Sequence, residues 1–112
     1  MCTENQLQQI TDAVAKEAKK MFAERLDRVI LFGSYARGDF DRESDIDIMV
    51  CVNCSAEELH GFLTAFVSLS GKLSIEHGVT VSVIVSDTEG YRKYKDVLPF
   101  YKNVEREGIE VA

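Results

Sequence analysis

Two short apolar runs, Arg28–Phe32 (RVILF) and Ile46–Val52 (IDIMVCV), enclose the polar segment Gly33–Asp45. That segment holds two glycines, two serines and three aspartates. Apolar runs this short, bounded by turn residues, read as buried strands. A third strand is expected over Val79–Ser86. There Val79, Val81, Val83 and Val85 alternate with Thr80, Ser82, Ile84 and Ser86, the period of a pleated strand.

Helical signals lie between and around these strands. From Glu4 to about Leu26, the apolar residues Leu7, Ile10, Val14, Met21 and Phe22 recur at the spacing of one helix face. Thr3 and Gln6 form a capping box at its start. Ser55 and Glu58 form a second, opening a helix that carries Leu59, Phe62, Leu63, Phe66 and Leu73 on one side and ends at Gly78. Tyr91–Leu98 reads as helix. Pro99 suits the first turn of a last helix that stops at Gly108, and Ile109–Ala112 reads as a short final strand. The fold class is therefore α/β (α+β), a small mixed β-sheet with helices packed mainly on one face.

With 112 residues and no linker-like stretch, one domain over 1–112 is expected, burying about two-thirds of its unfolded surface. Apolar residues at 46% exclude a disordered chain. The balance of 13 basic to 19 acidic residues argues against broad binding to nucleic acid or anionic lipid. No apolar run is long enough to span a membrane, and MCTENQLQQI lacks the pattern of a signal peptide. Three cysteines, Cys2, Cys51 and Cys54, with no export signal fit a reducing, cytoplasmic setting.

The segment between the first two strands carries the chemistry. It reads Gly33-Ser34-Tyr35-Ala36-Arg37-Gly38, then Ser44-Asp45-Ile46-Asp47. Gly33 permits a sharp turn and close backbone approach. Ser34 adds a hydroxyl beside exposed N–H groups, a setting suited to phosphate. Arg37 either adds a bidentate phosphate contact or pairs with Asp39 or Asp41. Asp45 and Asp47 are two apart at a strand start, so both carboxylates project from one face. Like charges held together call for a cation, and a hard divalent ion such as Mg²⁺ is the natural one. It would bridge to phosphates held by the glycine turn. Phosphoryl-type transfer requires little beyond such positioning and neutralisation.

The joint pattern G-S-x-x-x-G and S-D-x-D resembles the nucleotidyltransferase superfamily that shares the DNA polymerase β palm. More closely, it resembles the minimal nucleotidyltransferases, small stand-alone domains of about this length. The resemblance covers most of the chain, including an E-G-I-type tail at Glu107-Gly108-Ile109. It implies that a nucleoside monophosphate, AMP from ATP, moves to a hydroxyl with release of pyrophosphate. By carry-over, Gly33, Ser34, Arg37 and Gly38 are nucleotide-binding and Asp45 and Asp47 bind the metal. The family's third carboxylate belongs on the third strand, where this sequence has Ser82. Asp87, Glu89 and Glu76 lie nearby, and the opposite strand parity of Asp87 counts against it. Similar minimal domains pair with a HEPN-type helical protein as antitoxins that place AMP on a toxin hydroxyl. A small-molecule adenylyltransferase is less favoured, since such relatives carry a further substrate domain.

Other residues have plainer readings. Cys51 and Cys54 have C-x-x-C spacing without a second pair, and His60 and His77 stand at no useful offset for zinc. Tyr91, Tyr94, Phe100 and Tyr101 read as packing, in the most basic part of the chain. Specificity for an acceptor would come from a partner or from a homo-oligomer. The alternative function is a catalytically degenerate module that binds nucleotide or a partner without transfer, and Ser82 is the feature that favours it.

Overall fold

The computed structural model describes residues 2–112. Helix α1 (Glu4–Phe22) opens with the expected capping box. The Gln6 N–H donates to Thr3 Oγ1 at 3.1 Å, and the Thr3 N–H donates to Gln6 Oε1 at 3.0 Å. The helix ends four residues sooner than the periodicity predicts. Ala23 takes φ 51°, a 3₁₀ turn follows over Ala23–Arg25, and β1 begins at Leu26 (Leu26–Phe32). After the turn helix α2 (Ser34–Arg37) comes β2 (Ile46–Val52), with the bounds read from sequence.

One helix was expected from the Ser55 cap to Gly78; there are two, α3 (Ala56–His60) and α4 (Leu63–His77). The break falls at Gly61-Phe62, a poor helix former followed by a bulky anchor. The Gly61 and Phe62 N–H groups donate three residues back, to Glu58 and Leu59, which tightens the chain. Phe62 then packs edge-on against Phe22, centroids 4.8 Å apart. Gly78 at φ 64° closes α4 as expected. Strand β3 (Val81–Asp87) follows, then α5 (Thr88–Tyr94), α6 (Pro99–Glu107) and β4 (Ile109–Glu110). Helix α5 starts three residues before the expected Tyr91 because Asp87 caps it, accepting from the Gly90 N–H at 2.8 Å.

The sheet has the order β3-β2-β1-β4 and is mixed: β1 runs antiparallel to β2 and β4, while β3 runs parallel to β2. Alternation sorts its side chains onto two faces. Val29, Leu31, Ile46, Ile48, Val50, Val52, Val81 and Val85 join Ile10, Val14, Phe22, Phe66 and Leu73 in the larger core, beneath α1 and α4. Ile30, Phe32, Met49 and Cys51 join Tyr91 and Val104 in a smaller cluster beneath α5 and α6. Most apolar packing is thus on one face, and the second face is only partly roofed. Among the described residues, no helix is long and apolar enough to cross a membrane.

Candidate nucleotide site at the glycine turn

The candidate site lies on the partly roofed face. Asp47 lies between Ile46 and Ile48, which both enter the larger core, so its carboxylate belongs to the opposite face, that of Met49 and Cys51. Ser82 lies between Val81 and Val83 in the same way. In the ladder, Asp47 faces Ser82 on one side and Phe32 on the other. Ser82, Asp47 and Phe32 therefore form a row across three strands, and Gly33 follows Phe32 directly. Asp87 stands at the far end of β3, opposite Val52, with its carboxylate engaged as the α5 cap. Glu76 and Glu89 are exposed on α4 and α5. None of the three nearby acids shares the row with Asp47.

Gly33 is required twice. It adopts φ 77°, in the region that L side chains avoid, and a Cβ there would stand 2.5 Å from Asp47 Oδ2. The turn helix is closed by bonds from the Ala36 and Arg37 N–H groups to Gly33 O, both at 3.1 Å. Gly38, at φ 88°, ends it with an N–H bond to Ser34 O. Tyr35 is a packing residue: its buried ring stacks on Phe40 at 4.3 Å, and its hydroxyl accepts from the Cys2 N–H. Ser34 is half-buried at the start of the turn helix. Before β2, Asp41 organises a local turn, accepting from the Glu43 N–H at 2.8 Å while its own N–H donates to Ser44 Oγ at 2.9 Å. That turn delivers Asp45 and Asp47 to the strand.

Neither the Asp45 nor the Asp47 carboxylate has a hydrogen-bond or ion-pair partner among the described residues. Asp47 is half-buried, and burial, more than the neighbouring Asp45 charge, pushes its carboxyl above the ordinary range, with Arg37 partly opposing. An unpartnered, partly desolvated carboxylate beside a second one is a donor set suited to a hard divalent cation. Among the described residues no group of three or more His, Cys, Asp or Glu side chains could hold a metal. The fit is to two protein carboxylates, as for a Mg²⁺ that keeps waters and takes substrate phosphates as its other ligands.

Arg37 is ion-paired. Its Nε donates to Asp39 Oδ2 and its Nη1 to Glu107 Oε2, both at 3.1 Å. Glu107 is the last residue of α6, so this contact ties the C-terminal helix to the glycine turn. Between them lies a pocket of about 290 Å³ lined by Phe32, Gly33, Arg37, Phe100, Asn103, Val104, Arg106 and Glu107. From sequence α6 reads as packing, with the Glu107-Gly108-Ile109 tail at its end as part of the family resemblance. Cys51 is a buried strand residue, its thiol pushed up to about 12 by burial. Gly33→Ala, which adds the clashing methyl, should displace Asp47 and lower Mg²⁺–ATP affinity about tenfold or more, read by calorimetry. Gly78→Ala shares the left-handed strain with nothing within 4 Å, and serves as the control that should bind as wild type.

The chain matches the family model described as a nucleotidyltransferase domain over residues 12–111. It is similar to two proteins of Methanocaldococcus jannaschii. "Putative protein adenylyltransferase MJ0604" is 37% identical over 90 residues, 80% of this chain and 82% of the relative. "Putative protein adenylyltransferase MJ0141" is 34% identical over 106 residues, 88% and 95% of the two chains. Among solved structures, one of a toxin–antitoxin with AMP-PNP aligns at TM-score 0.57 and 20% identity, covering 90% of this chain and 72% of that one. A Shewanella oneidensis complex of a tri-AMPylated HEPN toxin with an MNT antitoxin aligns at 0.51 and 20%, covering 94% and 71%. These two likenesses establish the fold.

Proposed function

Since this chain belongs to the nucleotidyltransferase domain family, we propose that it is a Mg²⁺-dependent transferase moving AMP from ATP onto a hydroxyl acceptor. The whole chain acts as a single transferase domain. In this reading the Gly33 backbone, Ser34, Arg37 and Gly38 bind the nucleotide, and Asp45 and Asp47 would hold the metal. The observation that carries it is the pair Asp45 and Asp47, without partners among the described residues, against a turn whose glycine leaves room for Asp47 Oδ2.

When bound, Mg²⁺ would neutralise phosphate charge and polarise the phosphoryl group. The chain's own residues orient. Gly33 lets the backbone come close to the phosphates, Ser34 donates its hydroxyl, and Arg37 balances negative charge. The acceptor oxygen bonds to the α-phosphorus and the α–β phosphoanhydride bond breaks. Pyrophosphate leaves with the bonding electrons, and the hydroxyl proton passes to solvent. Ser82, facing Asp47, occupies the third position of the site and offers a neutral hydroxyl there.

The acceptor is a protein hydroxyl, and the partner a HEPN-type helical protein for which this chain is the antitoxin. Support comes from the names of the two archaeal relatives and from the AMPylated HEPN toxin held by the Shewanella antitoxin. The test is label transfer from α-³²P-ATP with Mg²⁺ in native-host lysate, comparing wild type with Asp45→Asn/Asp47→Asn. A labelled small helical protein that appears only with wild type is the expected result. Equal labelling by both proteins would refute the reading. The second reading, a module that binds without transferring, is favoured by Ser82 alone and is separated from the first in the Discussion.

A further inference from the structure

Strand β3 is a free edge of the sheet. The backbone N–H and C=O of one strand residue point the same way, and successive residues alternate. The Ile46 N–H donates to Thr80 O at 2.9 Å, so Thr80, Ser82, Ile84 and Ser86 turn their backbone groups toward β2. Val81, Val83 and Val85 turn theirs outward, and the Val81 N–H donates to Ser74 Oγ of α4 at 2.9 Å. Among the described residues, no backbone group of another element bonds to Val83 or Val85 on that side. Natural sheet edges are guarded by charge, proline, a bulge or short length. This one is seven residues long, its register against β2 is unbroken, and Val79–Ser86 holds neither a charged residue nor a proline.

The helix above the edge is bare on the same side. Its bond to Val81 makes Ser74 the marker of that side. At 100° per residue, Val67 and Leu63 both lie about 20° from Ser74, while Lys72 and Glu76 lie about 160° away. Val67 is 69% exposed and Leu63 37%. Val83, in the middle of β3 on the core side, is only half-buried, so α4 does not overhang the edge. Helix and strand run in opposite directions through the turn at Gly78. Val67 stands seven residues before Ser74, about 10.5 Å of helix, and Ile84 stands three after Val81, about 10 Å of strand. The two therefore come to the same level, Val67 above the core face and Ile84, 37% exposed, on the face of Ser82.

We propose that this edge pairs with the same edge of a second copy, antiparallel and centred on Ile84, giving a two-fold dimer with one continuous eight-stranded sheet. Val83 of each copy then exchanges both backbone hydrogen bonds with Val85 of the other, which uses the outward groups left free. Ile84 meets its own counterpart as the non-hydrogen-bonded pair, and Ser82 falls opposite Ser86. On the core face, Val67 and Leu63 of the two α4 helices close over the axis. The occupant is a second copy because the edge is complementary to itself, and because a chain of net charge −6 brings no like charges together there. The other edge, β4, has only two residues, so association stops at the dimer. Both glycine-turn sites lie on one face of the joint sheet. The dimer goes beyond the nucleotidyl-transfer reading and does not depend on it.

The test is sedimentation velocity of the full chain. One strand and one helix flank make a small interface, so wild type is expected to be monomeric at about 1 µM and dimeric at about 100 µM. Ile84→Lys sets two lysines together on the axis, and Val67→Glu sets two carboxylates there. Both side chains are exposed, so each variant should melt as the wild-type monomer does and stay monomeric at about 100 µM. Ile75→Glu changes a residue 85% exposed on α4 but about 100° round the helix from Ser74, and should dimerise as wild type does. Ile84→Cys tests the register: a non-hydrogen-bonded pair has Cα atoms about 4.5 Å apart, within disulfide reach. Diamide should link it into a covalent dimer on a non-reducing gel, well beyond the wild-type level. A wild type that stays monomeric at about 100 µM overturns the proposal, as does a dimer that survives both Ile84→Lys and Val67→Glu. A dimer broken by Ile75→Glu would place the contact on the outer face of α4 and also overturn it. Failure of Ile84→Cys to cross-link overturns the pairing centred on Ile84.

Discussion

Asp47→Asn is expected to raise the Tm of the metal-free protein at neutral pH and to remove nucleotidyl transfer. Burial, the larger cause, and the Asp45 charge hold the Asp47 carboxyl above its ordinary range, so the folded state accommodates its ionised form worse than the unfolded chain does. An asparagine keeps the shape and removes the charge. The sign of the pH dependence follows. The folded-state pKa is the higher one, so the ionised carboxylate opposes folding at every pH above it. As pH falls through the folded pKa toward the unfolded value, the folded protein takes up its proton first and the deficit disappears. The Tm gap between variant and wild type should therefore be full at neutral pH and close as the solution is acidified toward about pH 4. Thermal melts with EDTA across that range check it. Transfer should fall on the order of a thousandfold, because several kcal/mol of phosphoryl charge stabilisation lose their anchor. A variant that melts below wild type at neutral pH would mean that Asp47 has a structural partner, and would remove the argument that the carboxylate pair is poised for a cation.

The residues that make this argument were readable because they act through short spacings. The S-D-x-D pair announces its shared face by parity alone, and β2 begins and ends where its apolar run does. Both capping boxes and the glycine that ends α4 are likewise local signals. The family resemblance assigns Ser82 to the third-carboxylate slot, and the register sets it opposite Asp47. What could not be read depends on contacts between distant residues. Arg37 could be paired with Asp39 from sequence, but its bond to Glu107 spans 70 positions and needs α6 to lie across β1. The pocket exists only because of that crossing. Gly61 breaks the second long helix where Phe62 turns toward Phe22, a tertiary contact that outweighs the continuous helical period. Asp87, weighed as a metal ligand, is spent instead on the first turn of α5.

Ser82→Asp is the substitution that separates transferase from binding module, and it is expected to raise Mg²⁺-dependent transfer by about a hundredfold. A carboxylate at position 82 would join Asp47 across one ladder pair, giving the site a third anionic oxygen donor and a group able to draw the proton from the incoming hydroxyl. General-base assistance of this kind contributes roughly 10²–10⁴ in rate. The same change should lower the Tm of the metal-free protein, since three carboxylates would then face one another, and added Mg²⁺ should restore it. That coupled pair of readouts matters, because a gain in transfer with no metal-dependent gain in stability would locate the effect elsewhere. If wild type transfers label and Ser82→Asp transfers it faster, the native chain is an enzyme working with an incomplete carboxylate set. If wild type is inert and Ser82→Asp becomes active, the native chain is the binding module. A Ser82→Asp protein that matches wild type in both transfer and Mg²⁺-dependent melting would remove position 82 from the site, despite its place in the row with Asp47.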